Sequence, residues 1–405
     1  MSIQVTLADI QAAKHELGKY LSPSPLLFNA WLSESMGCQV YLKLENMQPI
    51  GSFKIRGATY KISRLSAKDR RRGVIAASAG NHAQGVAWGS RQLGAKALIV
   101  MPKGAPLVKI HNTKALGAEI EFAGENINES LAEAKKIARK TGRVLVHAYE
   151  DEEVIAGQGT IGLEIVEQLE DVDAVIGAIG GGGLMAGVST VFKEMKPQVQ
   201  VIGCQAKGAP SMVQSLKKGR AVKLEAIETF ADGIAIKEAS DPMRKFLSSR
   251  IDRMLQEDDE GIANAILMLM EKAKVISEGS GALPLAVLDQ VKKQFRGKKV
   301  VLIVGGGNID VNVLGRIIDR GLIRAGRRVR VNVLISDRTG SLARLTELLA
   351  RQGANIIQAI HDRSEPSTHI DETEVALTLE TRGPEHSREL IKVLREHVLK
   401  LELAH

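Results

Sequence analysis

From about Val40 to Gly307 the chain alternates between short aliphatic runs and stretches with helical spacing. Gly73–Ala77, Ala97–Met101, Ala174–Ala178, Val199–Gly203 and Lys299–Val304 are largely unbroken apolar runs. Strands covered on both faces carry that pattern, so the runs predict a mostly parallel sheet wrapped by helices. Strand-then-glycine junctions recur along this region. They set backbone amides and helix amino termini at the carboxyl edge of the sheet, where open α/β folds bind ligands.

Near Arg324–Arg328 the pattern changes. Val329–Ile335 alternates apolar and polar positions, as a half-exposed antiparallel strand does. Asp337–Ser341 predicts a turn that opens a helix running to about Arg351. Asn355–Asp362 and Glu374–Glu380 predict strands, Glu385–His397 a second helix, and a last strand has room to follow. The order βαββα is that of a small ferredoxin-like module. The expected layout is a body over residues 1–323, a charged joint over 324–328 and the module over 329–405.

Composition narrows the classes. A chain of 405 residues is too long for one ordinary core, and 44% hydrophobic with 25% charged residues is a globular balance. No apolar run reaches the ~18–20 residues of a membrane span, and the amino terminus lacks a signal peptide's apolar stretch. The expectation is a cytoplasmic protein with no membrane partner. The net charge of +8 is mild, and basic runs at Lys68–Arg72 and Arg324–Arg330 sit in a chain with only 3% aromatics. No nucleic-acid partner is expected; an anionic substrate or cofactor is sufficient reason for the charge. Cys38 and Cys204 cannot build a disulfide framework or a cysteine zinc site, and their apolar or small neighbours read as packing.

Candidate chemistry lies at the glycine turns. Ile179-Gly-Gly-Gly-Gly-Leu184 stands between an apolar run and a helical pattern. Four bare residues let the backbone approach an anion, and the following helix adds its positive end, so a phosphate fits. Neither a Walker loop nor the dinucleotide spacing is present. Gly51-Ser-Phe-Lys-Ile-Arg-Gly57 sets Lys54 among small and apolar neighbours. Burial there lowers a lysine's pKa, and the neutral amine is the form that condenses with a carbonyl. Ala77–Gly85 offers amides, a hydroxyl and a carboxamide at a helix start, suited to a carboxylate or a phenolic oxygen. His82 within it reads as a structural hydrogen-bonder more readily than as a base. Val304-Gly-Gly-Gly-Asn308 ends the last strand as a third ligand-facing turn.

These segments, in this order and with Ala156–Thr160, Ala231–Gly233 and Ser277–Ala282, resemble the fold-type II pyridoxal-phosphate enzymes. The likeness covers about residues 5–320 and is closest to the threonine/serine ammonia-lyases and serine racemase. Residues 327–405 resemble an ACT domain. The resemblance implies an α/β body of two doubly wound, mostly parallel sheets, tryptophan-synthase-β-like, with a smaller lobe over roughly residues 45–150 inserted in the larger. It implies pyridoxal 5'-phosphate held by Lys54, with Phe53 beside the ring and Asn81 on the phenolic oxygen. Gly180, Gly181, Gly182, Gly183 and Leu184 would cradle the phosphate, and Gly233, Glu278 and Gly305 would line the ring. Ser78, Gly80, Asn81 and His82 would grip the substrate carboxylate.

Three departures refine the reading. Where serine racemase carries a second serine as its opposite-face acid and base, this chain has Ala79, which favours elimination over racemisation. The racemase's divalent-metal ligands fall at Gln205 and Ser211, so no metal is expected. The usual serine or cysteine facing the pyridine nitrogen is Gly305. The implied activity is deamination of threonine to 2-oxobutanoate, and of serine to pyruvate. Serine or threo-3-hydroxyaspartate as principal substrate, and a non-catalytic amino-acid sensor, are the alternatives. The ACT module implies control by a small amino acid, isoleucine or valine, at a turn holding Asp337, Gly340 and Ser341. The family further implies a homodimer or homotetramer.

Overall fold

The computed structural model describes residues 2–363 and 369–403. They divide into two compact units, the chain passing from one to the other between Ile309 and Asp310.

The first unit holds two sheets. Leu26–Phe28, Gln39–Leu44, Lys299–Val304, Ala174–Ala178, Gln200–Ala206 and Arg253–Glu257 lie in that order across the larger one. All neighbours are parallel except the first pair. Its central strands are buried almost throughout, which is why their sequences are apolar runs rather than alternations. The smaller sheet orders Glu119–Phe122, Ala97–Met101, Val74–Ala77 and Val144–Leu145, all parallel. Its strands come from the chain between the second and third strands of the larger sheet in sequence, so the smaller sheet is an insertion.

Three helices carry the ligand-facing turns, and glycines set their spacing. Helix Glu152–Gln168 lies between helix Lys54–Ser63 and helix Gly183–Met195. A side chain at Gly157 would begin 2.6 Å from Gly57 Cα, and one at Gly187 would begin 2.5 Å from the Gly159 nitrogen. The helices therefore cross with backbones nearly touching. The segment Ala156–Thr160 is thus a bare spacer between the helix that begins with Lys54 and the helix behind the glycine loop.

Beside the glycine crossing sits a buried set of charges. The Arg56 guanidinium is bonded by Glu45 (2.7 and 2.8 Å) and by Glu164 (2.5 and 2.8 Å), and Lys43 reaches Glu164 at 2.6 Å. All four side chains are at most 5% exposed, so two positive and two negative charges balance away from water. Burial alone would push the Glu164 carboxyl up, yet Arg56 and Lys43 together hold it below the ordinary carboxylate value.

The second unit has helix Val311–Arg324 followed by an antiparallel sheet in the order Asn355–Asp362, Glu372–Glu380, Arg328–Ser336, Lys400–Leu403. Arg328–Ser336 alternates buried and partly exposed positions without a break, as its sequence predicts. Helices Ser341–Arg351 and Pro384–His397 cover the apolar face through Leu345, Leu349, Leu390 and Leu394. This is the ferredoxin-like module, with the last strand present. No helix among the described residues is long and apolar enough to cross a membrane.

Candidate active site

A cavity of about 840 Å³ opens in the first unit between the two sheets' carboxyl edges. Its floor is made where the chain from Gly51 to Phe53 runs antiparallel to Gly305–Gly307. Phe53 N–H donates to Gly305 O (3.0 Å), and Gly307 N–H donates to Gly51 O (2.9 Å). The loop extends the edge of strand Lys299–Val304, and Lys54 follows it as the first residue of its helix. The Lys54 amine donates to Ala148 O at 3.0 Å and stands 5.2 Å above the Phe53 ring. Burial pulls its pKa down to about 8, while Glu278 pulls it back up. The amine therefore has a substantial neutral fraction near neutrality.

Opposite lies the glycine loop. Gly182 has φ +99°, and a Cβ there would meet Met243 at 2.5 Å; one at Gly181 would strike the Tyr149 ring at 2.2 Å. Gly182 caps helix Gly183–Met195 without any side-chain capping bond, so the first amides of this helix have no side-chain acceptor. Bare backbone, a helix amino terminus and a depressed lysine in one cavity fit an aldehyde that carries a phosphate.

Ser78, Gly80, Asn81 and His82 form the third wall, with Gly80 capping helix Asn81–Leu93, again without a side-chain cap. His82 commits its Nε2 to a backbone carbonyl, Val146 O at 2.9 Å, and burial, then the charge on Lys54, pull its pKa down to about 3. It is a neutral ring tying two loops together. Glu278 accepts from Ser280 Oγ (2.6 Å) and from Asn81 Nδ2 (2.9 and 3.0 Å). Burial raises its pKa against those bonds. Gly233 and Gly306 make room for this carboxyl, since a Cβ on either would come within 3.1 and 2.7 Å of its Oε1. At Gly305 a Cβ would face only the Phe53 ring, at 3.3 Å.

The cavity thus gathers Lys54, Phe53, the Ser78–His82 loop, Gly180–Leu184, Gly233, Glu278 and Gly305. Sequence reasoning missed Tyr149, Ser280, Asn308 and the Lys109–Asp232 ion pair that joins the cavity's two walls. Ser280 and Asn308 lay inside flagged segments; nothing in the sequence around Tyr149 marks it. Gln205 and Ser211 are fully buried away from the cavity wall, with Gln205 Oε1 accepting from Val213 N–H at 2.9 Å. In the second unit, Asp337, Gly340 and Ser341 share one turn. Asp337 pairs with Arg363 (3.0 Å), Gly340 caps helix Ser341–Arg351 at φ +86°, and Ser341 Oγ lies 3.1 Å from Ser336 Oγ.

The comparisons with known proteins agree with this geometry. Residues 18–306 match the family described as pyridoxal-phosphate dependent enzyme, and residues 329–396 match the ACT domain. The L-threonine ammonia-lyase of Thermotoga maritima is 46% identical over 390 residues, covering 96% of this chain and 97% of that protein. That of Geobacter sulfurreducens is 40% identical over 386 residues, 95% and 96% of the two chains. The solved structure of processed threonine deaminase isoform 2 from Solanum lycopersicum superposes with a TM-score of 0.74 at 36% identity, covering 79% of this chain and 91% of that one. The chain belongs to the fold-type II pyridoxal-phosphate-dependent enzymes and carries an ACT domain after the catalytic unit.

Proposed function

We propose that the protein deaminates L-threonine to 2-oxobutanoate and ammonia, with L-serine to pyruvate as a second reaction. The observation that carries this is the placement of the depressed Lys54 amine in one cavity with the bare Gly180–Gly183 loop. The near full-length likeness to L-threonine ammonia-lyases selects threonine.

Bound pyridoxal phosphate would supply the electron sink for the negative charge that develops at the substrate's α-carbon. The amides of Gly180–Leu184 would hold its phosphate at the positive end of helix Gly183–Met195. The amides at the start of helix Asn81–Leu93, with Ser78, receive the substrate carboxylate. Lys54 Nζ, neutral above about pH 8, takes the α-proton from one side. On the other side Ala79 lines the cavity and has no proton to exchange, so the α-carbon cannot be reprotonated there. Loss of the α-proton and the β-hydroxyl, together one water, leaves an enamine, which takes up one water and hydrolyses to the 2-oxo acid and ammonia. The turn holding Asp337, Gly340 and Ser341 would receive a small amino-acid effector, isoleucine or valine.

A 2-oxo acid assay with threonine, serine and threo-3-hydroxyaspartate, with added cofactor, tests this. Threonine should give the highest kcat/KM. Absence of 2-oxo acid from all three would overturn the reading.

A further inference from the structure

Asn308 lies at the end of the last strand of the larger sheet, beyond Gly305–Gly307, and its side chain touches two different walls of the cavity. Its Nδ2 donates to Ile50 O at 2.8 Å and to Asn81 Oδ1 at 2.7 Å. Ile50 begins the loop that ends in Lys54, and Asn81 begins the helix above the carboxylate position. Gly51 makes the approach feasible, because a Cβ there would lie 2.7 Å from Asn308 Oδ1.

The polarity of this chain of contacts is set by its first member. A backbone carbonyl only accepts, so the Asn308 atom facing Ile50 must be the nitrogen. Its other hydrogen then needs an acceptor, which orients Asn81 with Oδ1 toward Asn308. The Asn81 nitrogen is thereby turned to Glu278, between both carboxyl oxygens at 2.9 and 3.0 Å. Ser280 fills Glu278 Oε1 from the far side at 2.6 Å.

We propose that Asn308 is a positioning residue: reading from Ile50 O, it fixes the Asn81 carboxamide with its N–H edge toward Glu278 and the cofactor cavity, and ties that edge to the lysine loop. The inference rests on the pyridoxal-phosphate reading of the cavity and is independent of which amino acid is the substrate.

The holoenzyme tests it by its visible absorbance, the pH titration of that absorbance, and kcat/KM. In N308D the carboxylate faces two acceptors, so Asn81 loses its orientation. The visible band and its titration midpoint should shift, and kcat/KM should fall by about 10²-fold, the usual consequence of an ångström-scale misplacement. A wild-type band, midpoint and kcat/KM in N308D would overturn the proposal. A second route leaves Asn308 in place should N308D fail to fold. N81D still accepts from Asn308 but sets a carboxylate against Glu278, and adding E278Q repairs that contact with a donor pointing back at position 81. Recovery of the band and of at least a tenth of the kcat/KM lost in N81D supports the proposed polarity; no recovery refutes it. If wild-type protein binds the cofactor but does not deaminate threonine, the band shifts still decide the matter.

Discussion

The ε-amine of Lys54 lies 3.0 Å from the carbonyl oxygen of Ala148, and the next residue, Tyr149, supports the glycine loop with its ring. One short segment thus holds the lysine on one side and the glycine loop on the other. Buried in this way, the Tyr149 hydroxyl has its pKa pushed up to about 12 and stays protonated.

The depressed amine has a kinetic signature. Only neutral amine attacks an aldehyde, and the neutral fraction grows as pH rises through about 8 rather than the ordinary lysine value of 10.5. In cofactor-free protein, the rate of pyridoxal-phosphate attachment should therefore climb with pH and level off above about 8. Glu278→Gln removes the charge that opposes the depression, and the midpoint should move lower still. A wild-type midpoint near 10.5, measured by the growth of visible absorbance after mixing, would contradict the assigned environment. Lys54→Ala should abolish both the absorbance change and turnover.

Bare glycine crossings make a second, purely steric prediction. In Gly187→Ala the new Cβ would begin 2.5 Å from Gly159 N and from Ile155 O, both backbone atoms that cannot swing aside. The helix behind the Gly180–Gly183 loop must shift, at a cost of about 1–3 kcal/mol. The urea midpoint should fall, and cofactor affinity should weaken with it. Gly315→Ala, in a helix interior where a Cβ meets nothing within 4 Å, is the control that should leave cofactor affinity unchanged and not lower the urea midpoint.

The buried quartet around Arg56 should dominate acid stability. Removing one partner, as in Arg56→Met, strands a buried carboxylate and should cost about 3–5 kcal/mol. The sign with pH follows from Glu164, whose folded value lies below its unfolded 4.5. Its contribution is present above the ordinary carboxylate range and is lost as pH falls through the folded value. Stability measured by denaturant at successive pH steps should therefore drop on acidification, and less steeply in Glu164→Gln.

Ala79 predicts a gain of function. Ala79→Ser places a hydroxyl at a position of the cavity wall whose native side chain has no exchangeable proton. Racemisation of L-serine, followed by chiral chromatography, should become detectable beside deamination. Deamination should fall because some substrate is diverted. Strictly L-configured residual serine in the variant would argue that this wall does not face the α-carbon.

The proposed effector turn should be separable from the chemistry. Asp337→Ala removes the carboxylate paired with Arg363 at 3.0 Å in the turn before helix Ser341–Arg351. The response to isoleucine or valine should be lost while basal turnover of threonine stays at the wild-type level.

The sequence by itself determined the central strands of the sheets, because an apolar run covered on both faces and a strictly alternating strand are one-dimensional patterns. Short, partly exposed edge strands such as Glu119–Phe122 and Arg253–Glu257 carry neither. Ala97–Met101, Ala174–Ala178 and Lys299–Val304 lie where their apolar runs end. It also determined the turns that face ligand, since a glycine run between strand and helix and a lysine among small residues carry their chemistry locally. Only the tertiary structure decided how those turns meet. Whether His82 faces substrate or Val146, which way the Asn81 carboxamide points, and that Tyr149 lies against Gly181 depend on partners 64, 227 and about 30 residues away in the chain. Directional bonds and close approaches between distant segments leave no periodicity in the sequence. The same holds for the spacing that Gly57, Gly157, Gly159 and Gly187 create, for a missing side chain becomes informative only when the backbone it admits is in place.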